Sequence, residues 1–189
     1  MDGCGFTLFE TPMGRCAIVW RGGFIIGASL PEADDAAFRL SIERRFSGSK
    51  EAEPPPVVSA AIEAVLRLMD GAAEDFSDLA VDISSLPQFE RSVLEEARAI
   101  PPGETRTYGE VARRLGASGA ARAVGRALGR NPVPIIIPCH RVLAAGGKSG
   151  GFSAPGGAST KLRLLQMERA RRGTEPGLFE HLPWQGKAG

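Results

Sequence analysis

The chain has 189 residues, 43% of them hydrophobic, with 24 glycines, 14 prolines and three cysteines, so it can bury a core and is neither fibrous nor compositionally disordered. No apolar run approaches the ~20 residues of a membrane span, and the opening MDGCGFTLFE is acidic and amphipathic, unlike a secretory signal. The net charge of +1 hides a partition: Met1–Glu104 carries 9 basic and 18 acidic residues (net −9), whereas Thr105–Met167 carries 10 basic residues and one acid, Glu110 (net +9). A basic segment joined to an acidic one is the footprint of a polyanion-binding module; the solvated surface of an ordinary enzyme accounts for the counts equally well. Three cysteines at wide spacings (Cys4, Cys16, Cys139) argue against a disulfide framework and place the protein in a reducing, cytoplasmic compartment.

In chain order, Gly5–Glu10, Arg15–Trp20 and Phe24–Leu30 read as strands of an antiparallel meander, separated by the turn sequences Thr11-Pro12-Met13-Gly14 and Arg21-Gly22-Gly23. Helical patterns follow over Asp34–Phe46 and Val57–Met69. Between them the polar Ser47–Pro56, ending in three prolines, predicts an irregular loop. Leu79–Ile83 predicts one more short strand, which closes a small α/β domain near Ser85 with no chemical constellation in it.

The second part opens on a helix with Phe89, Val93 and Ala97 at i, i+4 spacing and Leu94 beside them, stopped by Ile100-Pro101-Pro102-Gly103. Thr107-x-x-Glu110 has the form of a capping box for a helix whose Val111 and Leu115 face inward. Gly116 stops that helix, and Ser118 is expected to cap the next, Gly119–Leu128, which ends at Gly129. Two short helices around a glycine turn form a helix-turn-helix signature, here lying inside the basic segment. The second helix interleaves small residues with Arg122 and Arg126, and Arg130 continues the i, i+4 spacing. Such a surface can approach nucleic acid closely and reach phosphates or bases.

Asn131-Pro132-Val133-Pro134 enforces extended backbone, and the apolar Ile135-Ile136-Ile137 leads from the interior to Pro138-Cys139-His140-Arg141. A buried structural cysteine is the usual fate of such a residue. Against it, the adjacent His140 and Arg141 make a positive neighbourhood that favours the nucleophilic thiolate. A Cys-His pair needs a third group to hold the imidazole, and Glu168 is the best candidate. It lies near the end of an amphipathic helix over Ser159–Arg169, packed through Leu162 and Leu165. The tail Arg171–Gly189 holds Leu178-Phe179 and Leu182-Pro183-Trp184, enough apolar surface to dock on the body.

Several separated blocks occur in order: Ile100-Pro101-Pro102-Gly103-Glu104-Thr105, Thr107-Tyr108, Ala121-Arg122-Ala123-Val124-Gly125, Asn131 through Val142 around Pro138-Cys139-His140-Arg141, and Lys161…Leu164-Leu165…Glu168. From Phe89 to Glu168 the chain therefore resembles the O6-alkylguanine–DNA alkyltransferases, also called methylated-DNA–protein-cysteine methyltransferases. The resemblance implies an α/β N-terminal domain, a small antiparallel sheet with helices of ribonuclease-H-like type, over 1–85. A mostly α-helical catalytic domain containing the helix-turn-helix would follow over 86–170, then a tail over 171–189.

The implied activity is single-turnover repair of duplex DNA, with an alkyl group passing from O6 of guanine, or O4 of thymine, to Cys139. A monomer would bind the minor groove and flip the damaged base. Arg122 matches the intercalating arginine and Tyr108 the residue that crowds the 3′ phosphate and protonates guanine N3; Arg126 and Arg130, read from their spacing, would add DNA contacts. His140 would take the thiol proton through a bridging water, with Glu168 behind it. Asn131 would brace the helix-turn-helix against the active-site strand, the carbonyls of Cys139 and Val142 would read the guanine amino group, and Ser153 would lie in the loop covering O6. No cofactor and no membrane is implied. Two departures stand out. The covering loop Phe152-Ser153-Ala154-Pro155-Gly156-Gly157 is two residues longer than usual. The zinc of some members lacks ligands here, since Cys4 and Cys16 have no histidine nearby, so no metal is expected. The alternatives are a lesion sensor or helix-turn-helix regulator without chemistry, against which Cys139 counts, and a cysteine hydrolase, for which no oxyanion hole is evident.

Overall fold

The computed structural model describes residues 3–32, 34–147, 149–153 and 155–169; the tail and its docking lie outside the described residues. Strands β1 (Cys4–Thr11), β2 (Gly14–Arg21) and β3 (Phe24–Ser29) form the expected antiparallel meander. Its first turn is closed by Thr11, whose hydroxyl accepts from Met13 N at 3.1 Å and donates to Gly14 O at 2.6 Å, with Gly14 at φ +113°. Side chains alternate across β2. Ala17 and Val19 meet Phe38 and Ile42 of helix α1 (Asp35–Arg45), while Cys16, Ile18 and Trp20 face helix α2 (Pro56–Met69) and the rest of the molecule. The sheet is thus covered on both faces.

Two expectations change here. The polar linker contains a strand, β4 (Lys50–Glu51), paired in parallel with β1, so the sheet is mixed and ordered β3-β2-β1-β4. Its side chains are exposed, so no apolar signal marks it; what forms the strand is the need of the β1 edge for backbone partners. Conversely, Leu79–Ile83 makes one isolated bridge, Ile25 to Val81, held by Ile25 N→Ala80 O (2.8 Å) and Asp82 N→Ile25 O (2.9 Å). Turns at Phe76–Leu79 and at Asp82–Ser84 stop the pairing on either side.

Helix α3 (Gln88–Arg98) buries Val93, Leu94 and Ala97 as the periodicity requires, but Phe89, in its first turn, is 38% exposed beyond the edge of the core. Strand β5 (Arg106–Thr107) then leads into α4 (Tyr108–Arg114) through a complete capping box: Glu110 N donates to Thr107 Oγ1 and Thr107 N to a Glu110 carboxylate oxygen at 2.6 Å. Leu115 is half-buried against the core, and Gly116 at φ +68° ends the helix. Helix α5 (Ala121–Gly129) starts later than expected, with Ala120 at the cap position and no side-chain cap; Gly119 at φ +89° turns the chain after Ser118 and removes that residue from the capping role. A short 3-10 turn (Cys139–Arg141), strand β6 (Val142–Leu143) paired in parallel with β5, and helix α6 (Gly157–Met167) follow among the described residues. One apolar cluster runs from Cys16 and Val58 through Val93 and Val124 to Leu164, so the sheet and the helices share a core. Among the described residues no helix is long and apolar enough to cross a membrane.

Candidate active site

The segment from Asn131 to Val142 is built to present one sulfur. The Pro132 carbonyl is fixed from the sheet side by Ala28 N (2.9 Å) and Arg45 Nη2 (3.3 Å). Asn131 is buried and clamps the bend that follows: its Oδ1 accepts from Val133 N (3.0 Å) and its Nδ2 donates to Ile137 O (2.8 Å). Inside this bend Ile135 sits at φ +75°, a conformation that costs a β-branched residue on the order of 1–3 kcal/mol; it is held there by burial of Ile135, Ile136 and Ile137. The chain emerges at Cys139 in the 3-10 turn.

Cys139 is 7% exposed, and that sliver of surface lies on a cleft of about 580 Å³ lined by Tyr108, Arg122, Gly125, Arg126 and Phe152. A second cleft of about 400 Å³ reaches the same cysteine from the sheet side, past Leu30, Arg45, Pro134 and Pro155. Burial pushes the thiol up from its ordinary value; hydrogen bonding from the Asn131 side chain and the charge of Lys161 act in the opposite direction. Asn131 therefore acts on the thiol's proton affinity as well as bracing the segment.

Behind the cysteine lies a buried ionic cluster. Glu168, at the C-cap of α6, accepts from Arg141 through both oxygens (Nε–Oε2 2.9 Å, Nη2–Oε1 2.8 Å) and lies 2.9 Å from His140 Nε2, with all three side chains out of solvent. Burial alone would raise the Glu168 carboxyl, but His140 and Arg141 outweigh it and hold the group at about 2. Among the described residues the buried His140 Nδ1 has no hydrogen-bond partner, so this second ring nitrogen is placed to serve a proton relay. Arg141 also donates to Ile100 O at 2.6 Å, which commits its guanidinium to Glu168 and the end of α3. This corrects the sequence expectation that Arg141 charges the sulfur's surroundings.

The residue that does so is Lys161, for which sequence analysis assigned no role. It is 1% exposed, donates from Nζ to Val142 O at 2.6 Å, and lies 5.6 Å from the Tyr108 ring centroid. Burial lowers its ammonium to about 8, partly offset by the Cys139 charge. A signal was present: Lys161 shares the i, i+3/i+4, i+7 stripe of Leu164, Leu165 and Glu168, the buried face of α6.

On the open side of the cleft, Tyr108 is half-buried at the first position of α4, and its hydroxyl donates to Gly151 O at 3.3 Å. Burial, then the Cys139 charge, raise its phenol above the ordinary value, so it keeps its proton at neutral pH. Gly125 leaves room for the ring, and at Gly150 (φ +69°) a Cβ would fall 2.8 Å from the tyrosine oxygen. Arg122 and Arg126 project from α5, exposed and outside any ion pair with a described residue. Arg130, just past the helix, is instead held by Glu90 at 2.6 Å and lines the second cleft, so it does not continue the arginine face as its spacing suggested. Ser153 Oγ donates to Gly129 O at 2.8 Å and ties the loop before α6 to the end of α5; Pro155, from the two extra residues, closes over the second cleft.

Fold and site together define a helical module with two free arginines on one face and a buried cysteine at the floor of the cleft beneath them. Residues 88–170 match the family described as 6-O-methylguanine DNA methyltransferase, DNA binding domain. The methylated-DNA–protein-cysteine methyltransferase of Mycolicibacterium paratuberculosis is 41% identical over 68% of this chain and 75% of that protein; the protein of the same name from Methanocaldococcus vulcanius is 33% identical over 82% and 91%. Among solved structures, Mycobacterium tuberculosis OGT in complex with DNA superposes with a TM-score of 0.71 at 32% identity, covering 87% of this chain and 92% of that one. The chain belongs to the methylated-DNA–protein-cysteine methyltransferase family.

Proposed function

We propose that the protein repairs duplex DNA by direct reversal, moving a methyl or other alkyl group from O6 of guanine to Cys139 once and irreversibly. The observation that carries this reading is the placement of a buried thiol on a cleft beneath the free arginines of α5, with His140 backed by Glu168 behind it. A monomer acts in the cytoplasm on nucleoid DNA, over residues 86–170, with α5 against the minor groove. Arg122 fills the gap left by the flipped base, Arg126 contacts phosphate, and Arg130 joins it when released from Glu90.

The thiol proton passes through a bridging water to His140 Nδ1, and the imidazolium is stabilised by Glu168. The thiolate attacks the alkyl carbon in line; a carbon–sulfur bond forms as the carbon–oxygen bond breaks, and the electron pair leaves on guanine. Tyr108, which holds its phenolic proton, delivers it to N3. The carbonyls of Cys139 and Val142 accept from the guanine amino group, and Ser153 holds the loop over O6. The thioether has no leaving group that this site can activate, so each molecule is used once.

The test is intact-protein mass and peptide mapping after incubation with a duplex carrying one O6-methylguanine. One methyl group on Cys139, stoichiometric and without turnover, is expected. Lesion binding with no mass gain would make the protein a sensor, and continued turnover a hydrolase.

A further inference from the structure

Lys161 and Glu168 stand seven residues apart on α6, two turns along one face, and both reach the same stretch of chain: Glu168 takes His140 and Arg141, and Lys161 takes the Val142 carbonyl. Glu168 is fully explained by its two partners. Lys161 is not. A lysine with 1% exposure forfeits hydration worth several kcal/mol, and one carbonyl hydrogen bond with an aromatic face 5.6 Å away returns only part of it. A methionine would fill the same space without that cost. Among the described residues, the elements packed against Lys161 carry Cys139, His140 and Arg141 on the 3-10 turn, Tyr108 on α4, and Arg163 and Glu168 at α6 itself; Glu63 and Arg67 of α2, which packs on α6, are exposed. His140, Arg141 and Glu168 satisfy one another. The Cys139 sulfur is the group left whose charge couples to Lys161, and the coupling runs in both directions.

Resting on the assignment of Cys139 as the nucleophile, we propose that Lys161 is the counter-charge of the reacting sulfur: a positioning residue whose buried ammonium steadies the Val142 carbonyl and stabilises the Cys139 thiolate, and which loses its anionic partner when the sulfur is alkylated. Lys161 keeps its own proton; the thiol proton leaves through His140. As negative charge moves from sulfur to guanine, the ammonium stays buried, hydrogen-bonded to the Val142 carbonyl.

The experiment follows Cys139 alkylation by iodoacetamide against pH, without DNA, so it reports on the sulfur whether or not the alkyl-transfer reading holds; the duplex mass assay is run alongside. Peptide mapping separates Cys139 from Cys4 and Cys16. Lys161→Met should move the rate curve to higher pH by about one unit, slowing labelling at pH 8 about tenfold. Lys161→Arg, which keeps the charge, should restore most of the rate. A purely structural lysine would change thermal stability and leave the curve in place. Because Lys161→Met removes a buried hydrogen bond and so lowers stability, the second measurement uses the unaltered protein. With four lysines in the sequence, ¹⁵N-lysine NMR resolves the Lys161 amine, which should titrate at lower pH once Cys139 is S-methylated. Coincident rate curves, or an amine titration unmoved by methylation, would overturn the proposal.

Discussion

Replacing Glu168 by glutamine tests how much the ionic cluster behind the cysteine contributes. The carboxyl falls from the usual 4.5 to about 2 on folding. At about 1.4 kcal/mol for each tenfold change in proton affinity, that difference amounts to about 3 kcal/mol. Removing one partner from a buried pair and stranding an arginine gives a similar figure, about 3–5 kcal/mol, so two independent routes agree. The sign follows from the direction of the change. Because the folded protein holds the group below its unfolded value, the stabilisation is complete above about pH 5 and is lost as pH falls toward 2. Urea unfolding of wild type and Glu168→Gln, repeated between pH 7 and pH 2, cancels every other carboxylate in the difference. That difference should be about 3 kcal/mol at pH 7 and shrink toward zero at the acid end. A difference independent of pH would refute the reasoning, since the charge of Glu168 would then contribute nothing and its shape everything.

Arg122→Ala should slow repair in duplex DNA much more than reaction with a free O6-alkylguanine base, because the arginine acts on the helix and not on the sulfur; equal losses on both substrates would remove its intercalating role. Tyr108→Phe should lower the rate of alkyl transfer while leaving duplex affinity in a gel-shift assay close to wild type, and a large loss of binding would contradict proton donation. Asn131→Ala strands Val133 N in the interior, at about 1–3 kcal/mol, while Ile137 O keeps its bond from Cys139 N; urea unfolding should show the loss, and iodoacetamide labelling of Cys139 should slow because the Asn131 side chain favours the thiolate.

Much of this arrangement was legible in the sequence, for reasons that can be named. Thr107 and Glu110 find each other across three residues, so the start of α4 could be read locally. The turn sequences Thr11-Pro12-Met13-Gly14 and Arg21-Gly22-Gly23 punctuate the meander, so its three strands could be read locally too. Elements set by distant partners were not legible. Lys50 and Glu51 are strand because the β1 edge needs a neighbour, and no side chain records that need. Arg141 adjoins Cys139 in sequence, yet its guanidinium is drawn to Glu168 and Ile100, 27 and 41 residues away. Arg130 follows the arginine spacing of α5 but is taken by Glu90 on α3. The stripe that places Lys161 beside Glu168 was readable; a charged residue among leucines on a buried face was the sign.

The hydrogen bonds that tie the site and the fold together span the chain: 27 residues from Arg141 to Glu168, 87 from Arg45 to Pro132, and 151 from Pro12 to Arg163. Contacts of such separation are made late and slowly in folding, after the entropy of closing long loops has been met. A chain still emerging from the ribosome has its cysteine long before it has the carboxylate that organises the histidine beside it. For a protein used once per lesion, repair capacity is replenished by new chains, each of which must bring Glu168 back to His140 before its cysteine has a supported histidine beside it.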